Sequence, residues 1–241
     1  MRMVLRVFCE GAVKLRPYQQ EAIDATMNWF MVNDGNPLIV MPTGTGKALL
    51  CAELSRIVVS SPGNRVLIVT HVRELVKQDY DEMLELWPDA PAGIYSAGLN
   101  SRDMSKPITF ASIQSIFRKS ASLPPPDIII IDECHLIPRK SETMYGAFLK
   151  AMKIVNPAVK VIGLTATPFR MDSGRLDTGD DRPFDAISYE YSIRRAIDED
   201  FLCPVVSKIT KLHLDTSSVG IRGGEFIPAE LERAVDTDDN N

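Results

Sequence analysis

The sequence predicts an α/β domain, a mainly parallel sheet with helices on both faces. Three observations predict it. Strand-length apolar runs alternate with stretches of helical period along the chain. Most of the runs are continuous Val, Ile and Leu with no polar alternation, the pattern of strands buried on both faces. A glycine-rich turn, Thr43-Gly44-Thr45-Gly46, joins one such run directly to a helical stretch.

The elements follow in order. Tyr18–Phe30 reads as a helix and Pro37–Met41 as the first buried strand. Lys47–Val59 is the next helix, Arg65–Thr70 the next strand, and Val72–Trp87 the helix after it. Ile108–Ala111 is a strand and Ile113–Lys119 a helix. Pro124-Pro125-Pro126 is a stiff loop that delivers the chain into the strand Asp127–Ile131. Glu142–Val155 is a helix and Lys160–Leu164 the last of these strands. Met171–Pro183 is polar, holds Gly174 and Gly179, and reads as a mobile surface loop. Phe201–Asp215 reads as a strand pair or hairpin, Pro228–Val235 as a short helix, and Asp236–Asn241 as a frayed end.

Composition narrows the function classes. The 241 residues are 45% hydrophobic and 24% charged, which excludes global disorder. Acids outnumber bases 32 to 27, a net charge of −5, so an overall basic footprint for nucleic acid is absent while a local basic groove remains open. The four cysteines, at 9, 51, 134 and 203, form no CxxC pair, and the histidines at 71, 135 and 213 add no ligand cluster. A structural metal site is therefore not expected, and reduced thiols suit the cytoplasm. No apolar run is long enough for a membrane span.

Met41-Pro42-Thr43-Gly44-Thr45-Gly46-Lys47 follows a buried strand and opens a helix, the setting of a phosphate-binding P-loop. Backbone N–H groups of residues 43 to 47 would converge on phosphate at the positive end of the helix. Gly44 and Gly46 permit backbone conformations and a close approach that a Cβ would block. The Lys47 ammonium would sit between two phosphates. Two positions depart from the usual pattern: Met41 stands for the first glycine, and Ala48 for the hydroxyl residue that ligates Mg²⁺. Either the chain was altered to impair turnover, or it binds nucleotide with a water in place of that ligand.

Ile128–Ile131 runs straight into Asp132-Glu133-Cys134-His135. A carboxylate at the carboxyl end of a buried parallel strand lies where such sheets bind ligands. Asp132 is the expected metal ligand and Glu133 the group that accepts a proton from, or orients, an attacking water. Alone, the pair reads equally well as a helix N-cap with a solvated neighbour; the P-loop 85 residues upstream (132 − 47) favours the catalytic reading.

Together these segments resemble superfamily 2 DEAD/DEAH-type helicases. Met41–Lys47, Asp132–His135 and Thr165-Ala166-Thr167-Pro168-Phe169-Arg170 look like motifs I, II and III, and Leu15-Arg16-Pro17-Tyr18-Gln19 like the Q-type motif. Val69–Gln78 is similar to motif Ia and Phe110–Ser115 to motif Ib. The resemblance covers roughly residues 15 to 170, in family order, and its wording is closest to RadD-like DNA-repair ATPases and related phage and restriction-type helicases.

The resemblance implies a RecA-like P-loop domain that binds ATP and Mg²⁺. Lys47, Asp132, Glu133 and His135 would be catalytic, with Asp132 on the metal. Arg16, Gln19, Thr43, Gly44, Thr45, Gly46, Lys47 and Ala48 would line the nucleotide, Gln19 reading the adenine edge. His71, Arg73, Gln78, Ser112 and Gln114 would touch a nucleic-acid backbone. Thr165, Thr167 and Arg170 would couple the two sites. The implied function is the first half of an ATP-dependent DNA helicase or translocase acting on single-stranded or branched DNA. A non-catalytic nucleotide- or nucleic-acid-binding module and an RNA helicase are the alternatives. Nothing after Arg170 resembles motifs IV to VI. Residues 1–200 are therefore expected to be the first RecA-like domain, and 201–241 its end and the connection to an absent second one. A bacterial or phage-encoded cytoplasmic protein is the implied setting.

Overall fold

The computed structural model of the chain describes residues 14–137, 143–171, 174–180, 182–204, 216, 218–222 and 225–235. The chain runs α1 (Pro17–Val32), β1 (Pro37–Val40), α2 (Lys47–Val59), β2 (Val66–Thr70), α3 (Arg73–Leu86), β3 (Ala92–Ser96) and β4 (Ser101–Arg102). It continues through β5 (Ile108–Ser112), α4 (Ile113–Ile116), β6 (Ile128–Ile131), α5 (Met144–Val155), β7 (Lys160–Thr165), β8 (Phe169–Arg170) and β9 (Gly174–Arg175). It ends with β10 (Ala186–Glu190), α6 (Ile193–Asp198), β11 (Ile221–Arg222), β12 (Glu225–Phe226) and α7 (Pro228–Val235).

Eight strands form one sheet in the order β10-β1-β7-β6-β2-β5-β3-β4. Every neighbouring pair is parallel except β3 with the edge strand β4. The expected fold class is borne out, and the four consecutive isoleucines of β6 show its cause. Successive strand side chains point to opposite faces. Ile128 and Ile130 pack with Tyr18, Leu50, Leu54 and Val76 from α1, α2 and α3. Ile129 and Ile131 pack with Ile113, Tyr145, Phe148 and Met152 from α4 and α5. A strand covered on both sides has no place for a polar residue, so the run is unbroken.

Several expectations shift. β3 and β10 were not legible as strands: β3 (AGIYS) is rich in small residues, and β10 (AISYE) is an edge strand whose side chains are only partly buried. The expected helix Ile113–Lys119 closes at Ile116, where Lys119 N–H turns back to the Ile116 carbonyl at 2.8 Å. α5 opens at Met144, capped by the Thr143 hydroxyl accepting from Gly146 N–H at 3.3 Å. The expected loop 171–183 contains β9, which pairs antiparallel with β8. Residues 205–215 of the expected hairpin, and the expected frayed end 236–241, lie outside the described residues. Among the described residues, no helix is long and apolar enough to cross a membrane.

The sheet brings the carboxyl ends of β1, β7, β6 and β2 into one row. Val40 lies beside Thr165, and Ile131 beside Gly163. Met41 N–H donates to the Thr165 carbonyl at 2.9 Å, and Asp132 N–H to the Val69 carbonyl at 3.1 Å. Gly163 is where this row is tightest. A Cβ there would stand 2.5 Å from the Phe184 ring and 2.9 Å from Leu38 Cδ1. Gly163→Ala is therefore expected to destabilise the chain by roughly 1–3 kcal/mol through overpacking. Urea unfolding checks it, and an unchanged midpoint would show that Phe184 does not lie on β7.

Candidate nucleotide and nucleic-acid site

The phosphate loop is held from below by α1. Thr45 is buried, its hydroxyl donates to the Pro42 carbonyl at 2.6 Å, and its own carbonyl accepts two bonds. One comes from the Tyr18 hydroxyl at 2.9 Å, the other from Gln19 Nε2 at 3.0 Å. Gln19 Oε1 accepts from Arg16 N–H at 2.9 Å, closing the amide onto its own helix. Gly44 and Gly46 take φ of 82° and 81°, the left-handed region that glycine reaches without penalty. A Cβ at Gly46 would also meet Gln19 Nε2 at 2.6 Å. Thr43 and Gly44 are exposed at the loop's crest, and Lys47 starts α2. The Arg16 guanidinium donates to the Tyr18 hydroxyl at 2.9 Å and stands over the Phe201 ring, while Tyr18 stacks on Tyr191. The structure thus gives the Gln19 amide a partner set in the loop and in its own helix.

Lys47 and the acidic box meet. Lys47 Nζ lies 3.3 Å from Glu133 Oε1, with both side chains mostly covered. Glu133 Oε2 lies 3.2 Å from His135 Nδ1. The hydrogen bond from His135 and the charge of Lys47 hold Glu133 below the usual carboxylate range. Glu133 itself sits at φ 45°, ψ 47°, a left-handed conformation that costs a non-glycine residue about 1–2 kcal/mol. Asp132 behaves oppositely. Burial, and then repulsion from Glu133, raise it to about 6. Its Oδ1 is buried with no hydrogen-bond partner among the described residues.

His135 continues the chain of contacts. Its Nδ1 is 3.0 Å from Thr165 Oγ1. The Thr165 hydroxyl donates its one proton to the Thr167 carbonyl at 3.0 Å and accepts from Thr167 N–H at 3.1 Å. The ring nitrogen is therefore the donor toward Thr165, which fixes the proton on Nδ1. Arg170 is buried, and its guanidinium donates to the His135 carbonyl at 3.0 Å.

The residues expected to touch nucleic acid divide into two groups. Thr70 and Ser112 are register partners in β2 and β5, so the loops that follow these strands lie side by side. There Gln114 Nε2 donates to the His71 carbonyl at 2.7 Å, and the buried Ser112 hydroxyl shares hydrogens with Ser96 and Ser115. The His71 ring stacks near Tyr145, with Nδ1 buried and unpartnered among the described residues, and burial lowers its pKa. Arg73 is exposed at the start of α3, ion-paired with Glu74 and packed against Gly98. Gln78 is exposed further along α3, bonded to Glu82 at 2.8 Å, and lines one open groove with Arg73 and Gly98. The groove is of mixed charge, with Arg73 and Lys77 beside Asp81, Glu82 and Glu85, and Lys77 is paired with Asp81 at 2.6 Å.

Two residues of the site were missed. Tyr18 was read as a helix residue and is a support of the phosphate loop. Asp79 was not singled out at all. It lines one small cavity with Lys47, Ala48 and Asp132. Burial, then repulsion from Asp132, push it up to about 8. A signal existed: Val76, Asp79 and Met83 share the buried stripe of α3 at helical spacing, where a carboxylate is out of pattern.

Comparison with known proteins places this geometry. The family model described as type III restriction enzyme, res subunit (ResIII), matches residues 12–170. The ATP-dependent helicase IRC3 of Saccharomyces cerevisiae is 28% identical over 243 residues, covering 97% of this chain and 34% of the relative. The chain thus spans about a third of the length of that curated relative. A fragment of a type I restriction enzyme HsdR subunit from Vibrio vulnificus is 30% identical with a TM-score of 0.53, over 76% of this chain and 31% of the other. The UvsW helicase of bacteriophage T4 superposes with a TM-score of 0.57 over 73% of this chain and 60% of its own, at 19% identity, a likeness of fold. The kinship with restriction-type helicases, drawn above from the motifs, is borne out.

The buried carboxylates set a pH dependence. Unfolded, Asp79 titrates near 3.8; folded, it is raised to about 8. Between those values the folded chain holds protons that the unfolded chain has released, so stability falls as pH rises through this window. Asp79→Asn is expected to remove much of that slope. Urea midpoints of both proteins at roughly pH 5 and pH 8 check it; parallel slopes would place Asp79 in water.

Proposed function

Because the chain belongs to the ResIII family, that of the type III restriction enzyme res subunit, we propose that it is an ATP-dependent DNA motor domain of superfamily 2. In this reading it is the first of two RecA-like halves, with residues 1–200 forming the domain and 201–241 leading toward the second. One observation carries the function: a lysine at the mouth of a phosphate loop is held 3.3 Å from the glutamate of the acidic box. The family descriptions of restriction enzyme subunits favour DNA over RNA as the polymer.

In this reading the residues take the following roles. Loop amides of residues 43–47 and the start of α2 bind phosphate oxygens. Arg16 and Gln19, beside the loop, face the base end of the nucleotide. Lys47 leaves Glu133 for phosphate when nucleotide enters, since one ammonium cannot keep both partners at full strength. Glu133 is then free to orient a water and accept its proton, with His135 fixing its second oxygen. Asp132 fits Mg²⁺ as a ligand, because its buried Oδ1 has no other partner among the described residues; when bound, Mg²⁺ neutralises charge on the phosphates. His135, Thr165, Thr167 and Arg170 form one bonded path from the acidic box to the end of β7. An arginine finger from the second half would complete turnover, as in related nucleotidases.

Two outcomes test this. Lys47→Ala is expected to weaken ADP binding about tenfold or more, the scale of a lost charged hydrogen bond; calorimetric titration reads it, and equal affinities would place the phosphates elsewhere. Binding to oligo(dT) is expected to weaken with rising salt, and Arg73→Ala to weaken it whatever the sequence. Fluorescence anisotropy at several salt concentrations measures both. Tighter binding of an RNA oligomer would give the RNA-helicase reading, and a strong base preference would exclude backbone tracking.

A further inference from the structure

We infer that the base of a bound nucleotide is held by stacking on a shelf made of Arg16 and Phe201, while Gln19 props the phosphate loop without reading the base, so that adenine and guanine nucleotides are accepted alike. The inference rests on the nucleotide site proposed above and names the residues that set its base selectivity.

Gln19 is only 2% exposed. Its Nε2 donates to the Thr45 carbonyl at 3.0 Å and to the Gly46 carbonyl at 3.4 Å, and its Oε1 accepts from Arg16 N–H at 2.9 Å. Reading the adenine edge takes an amide hydrogen for a ring nitrogen and the amide oxygen for the exocyclic amine. Here two loop carbonyls draw on the NH₂ group, and burial keeps the oxygen from a ligand on the solvent side. A Cβ at Gly46 would meet the same nitrogen at 2.6 Å, so the amide is wedged against the loop backbone. A glutamine in that position supports the loop for every nucleotide equally.

Arg16, by contrast, is exposed. Its guanidinium carbon stands over the Phe201 ring, 5.1 Å from the centroid, and a guanidinium N–H donates to the Tyr18 hydroxyl at 2.9 Å. Phe201 in turn meets the Tyr18 ring edge-on at 4.8 Å. These contacts fix one face of the planar group and leave the other to a ligand. A planar cation backed by an aromatic ring stacks on any base, because every base has a π-face. The shelf is held from α6. Phe201 and Leu202 N–H both donate to the Ala196 carbonyl, at 2.8 and 2.9 Å, where Asp200 turns the chain at φ 60°. Arg195 of α6 pairs with Glu21 of α1 at 2.8 Å. Leu202 then runs on to the loop crest: a Cβ at Gly44 would stand 3.6 Å from its Cδ2. Shelf and crest are neighbours, so one nucleotide can span both.

Calorimetric titration of the chain with ADP, GDP and pyrophosphate tests this. ADP and GDP are expected to bind within about tenfold of each other, whereas hydrogen-bond reading of the base discriminates far more steeply. Both are expected to bind more tightly than pyrophosphate, which has no base to stack. Arg16→Lys keeps the charge and loses the plane; it is expected to weaken ADP and GDP alike by about tenfold, and pyrophosphate far less. Phe201→Leu, which keeps an apolar contact for Tyr18, is expected to act in the same direction. Gln19→Ala is expected to weaken all three ligands together and leave the ratio of ADP to GDP unchanged. A larger preference for ADP in the wild-type chain, or wild-type affinity for both nucleotides in Arg16→Lys, overturns the shelf and leaves the phosphate loop in place. The ADP-to-GDP ratio of the wild-type chain decides the matter even if Gln19→Ala does not fold. Failure of the wild-type chain to bind either ADP or pyrophosphate overturns the nucleotide site itself.

Discussion

The lysine and the carboxylates of this site come from strands that do not touch. β1 delivers Lys47 and β6 delivers Asp132 and Glu133, and β7 lies between them. The two can meet only by converging over the end of β7, so the register and packing of that strand control the site. This is why Thr165, its last residue, lies against His135, and why Gly163 inside it has no room for a side chain. A shift of β7 by one residue would turn Thr165 away and bring a neighbour's side chain into the contact. The geometry is set by the sheet, and the loops carry it.

The electrostatics follow from that convergence. Asp79, Asp132 and Glu133 gather around one lysine, and their environments drive them apart. Glu133, paired with Lys47 and His135, stays ionised; its partners also offset its left-handed backbone. Asp132 and Asp79 are buried, each with one oxygen that has no partner among the described residues, and burial makes them resist ionisation. Two carboxyl groups adjacent in sequence thus differ in protonation, Glu133 held ionised and Asp132 shifted toward its neutral form. Under the proposed function, phosphate competes with Glu133 for Lys47, so nucleotide entry itself alters the group that handles water.

Much of this was legible in the sequence, for a physical reason. Four isoleucines in a row tolerate few environments other than a strand buried on both faces, and glycines at 44 and 46 before Lys47 suit one kind of turn. The edge strands were not legible, because β10 keeps only partial cover and mixes Ser, Tyr and Glu with its apolar residues. Gln19 was singled out from its motif, while its bond to the Thr45 carbonyl was not legible, since only the fold brings α1 beneath the loop. Gln78 was singled out from its place in the motif, and the fold sets it on an exposed face of α3 beside Glu82, in a groove it shares with Arg73.

Asp79 is the hardest residue to account for by stability. An apolar residue on that stripe would face Met83 and Cys51 with no charge to desolvate, whereas burial disfavours the ionised form of the Asp79 carboxyl and the neighbouring Asp132 disfavours it further. A buried polar group that the fold does not satisfy has to be offset elsewhere or answered by a ligand. Ala48 faces the same cavity, and its methyl offers neither carboxyl a hydrogen bond. Asp79 and Asp132 face one small cavity with an apolar majority in its wall, so each carboxyl holds its proton more tightly there than it would in water.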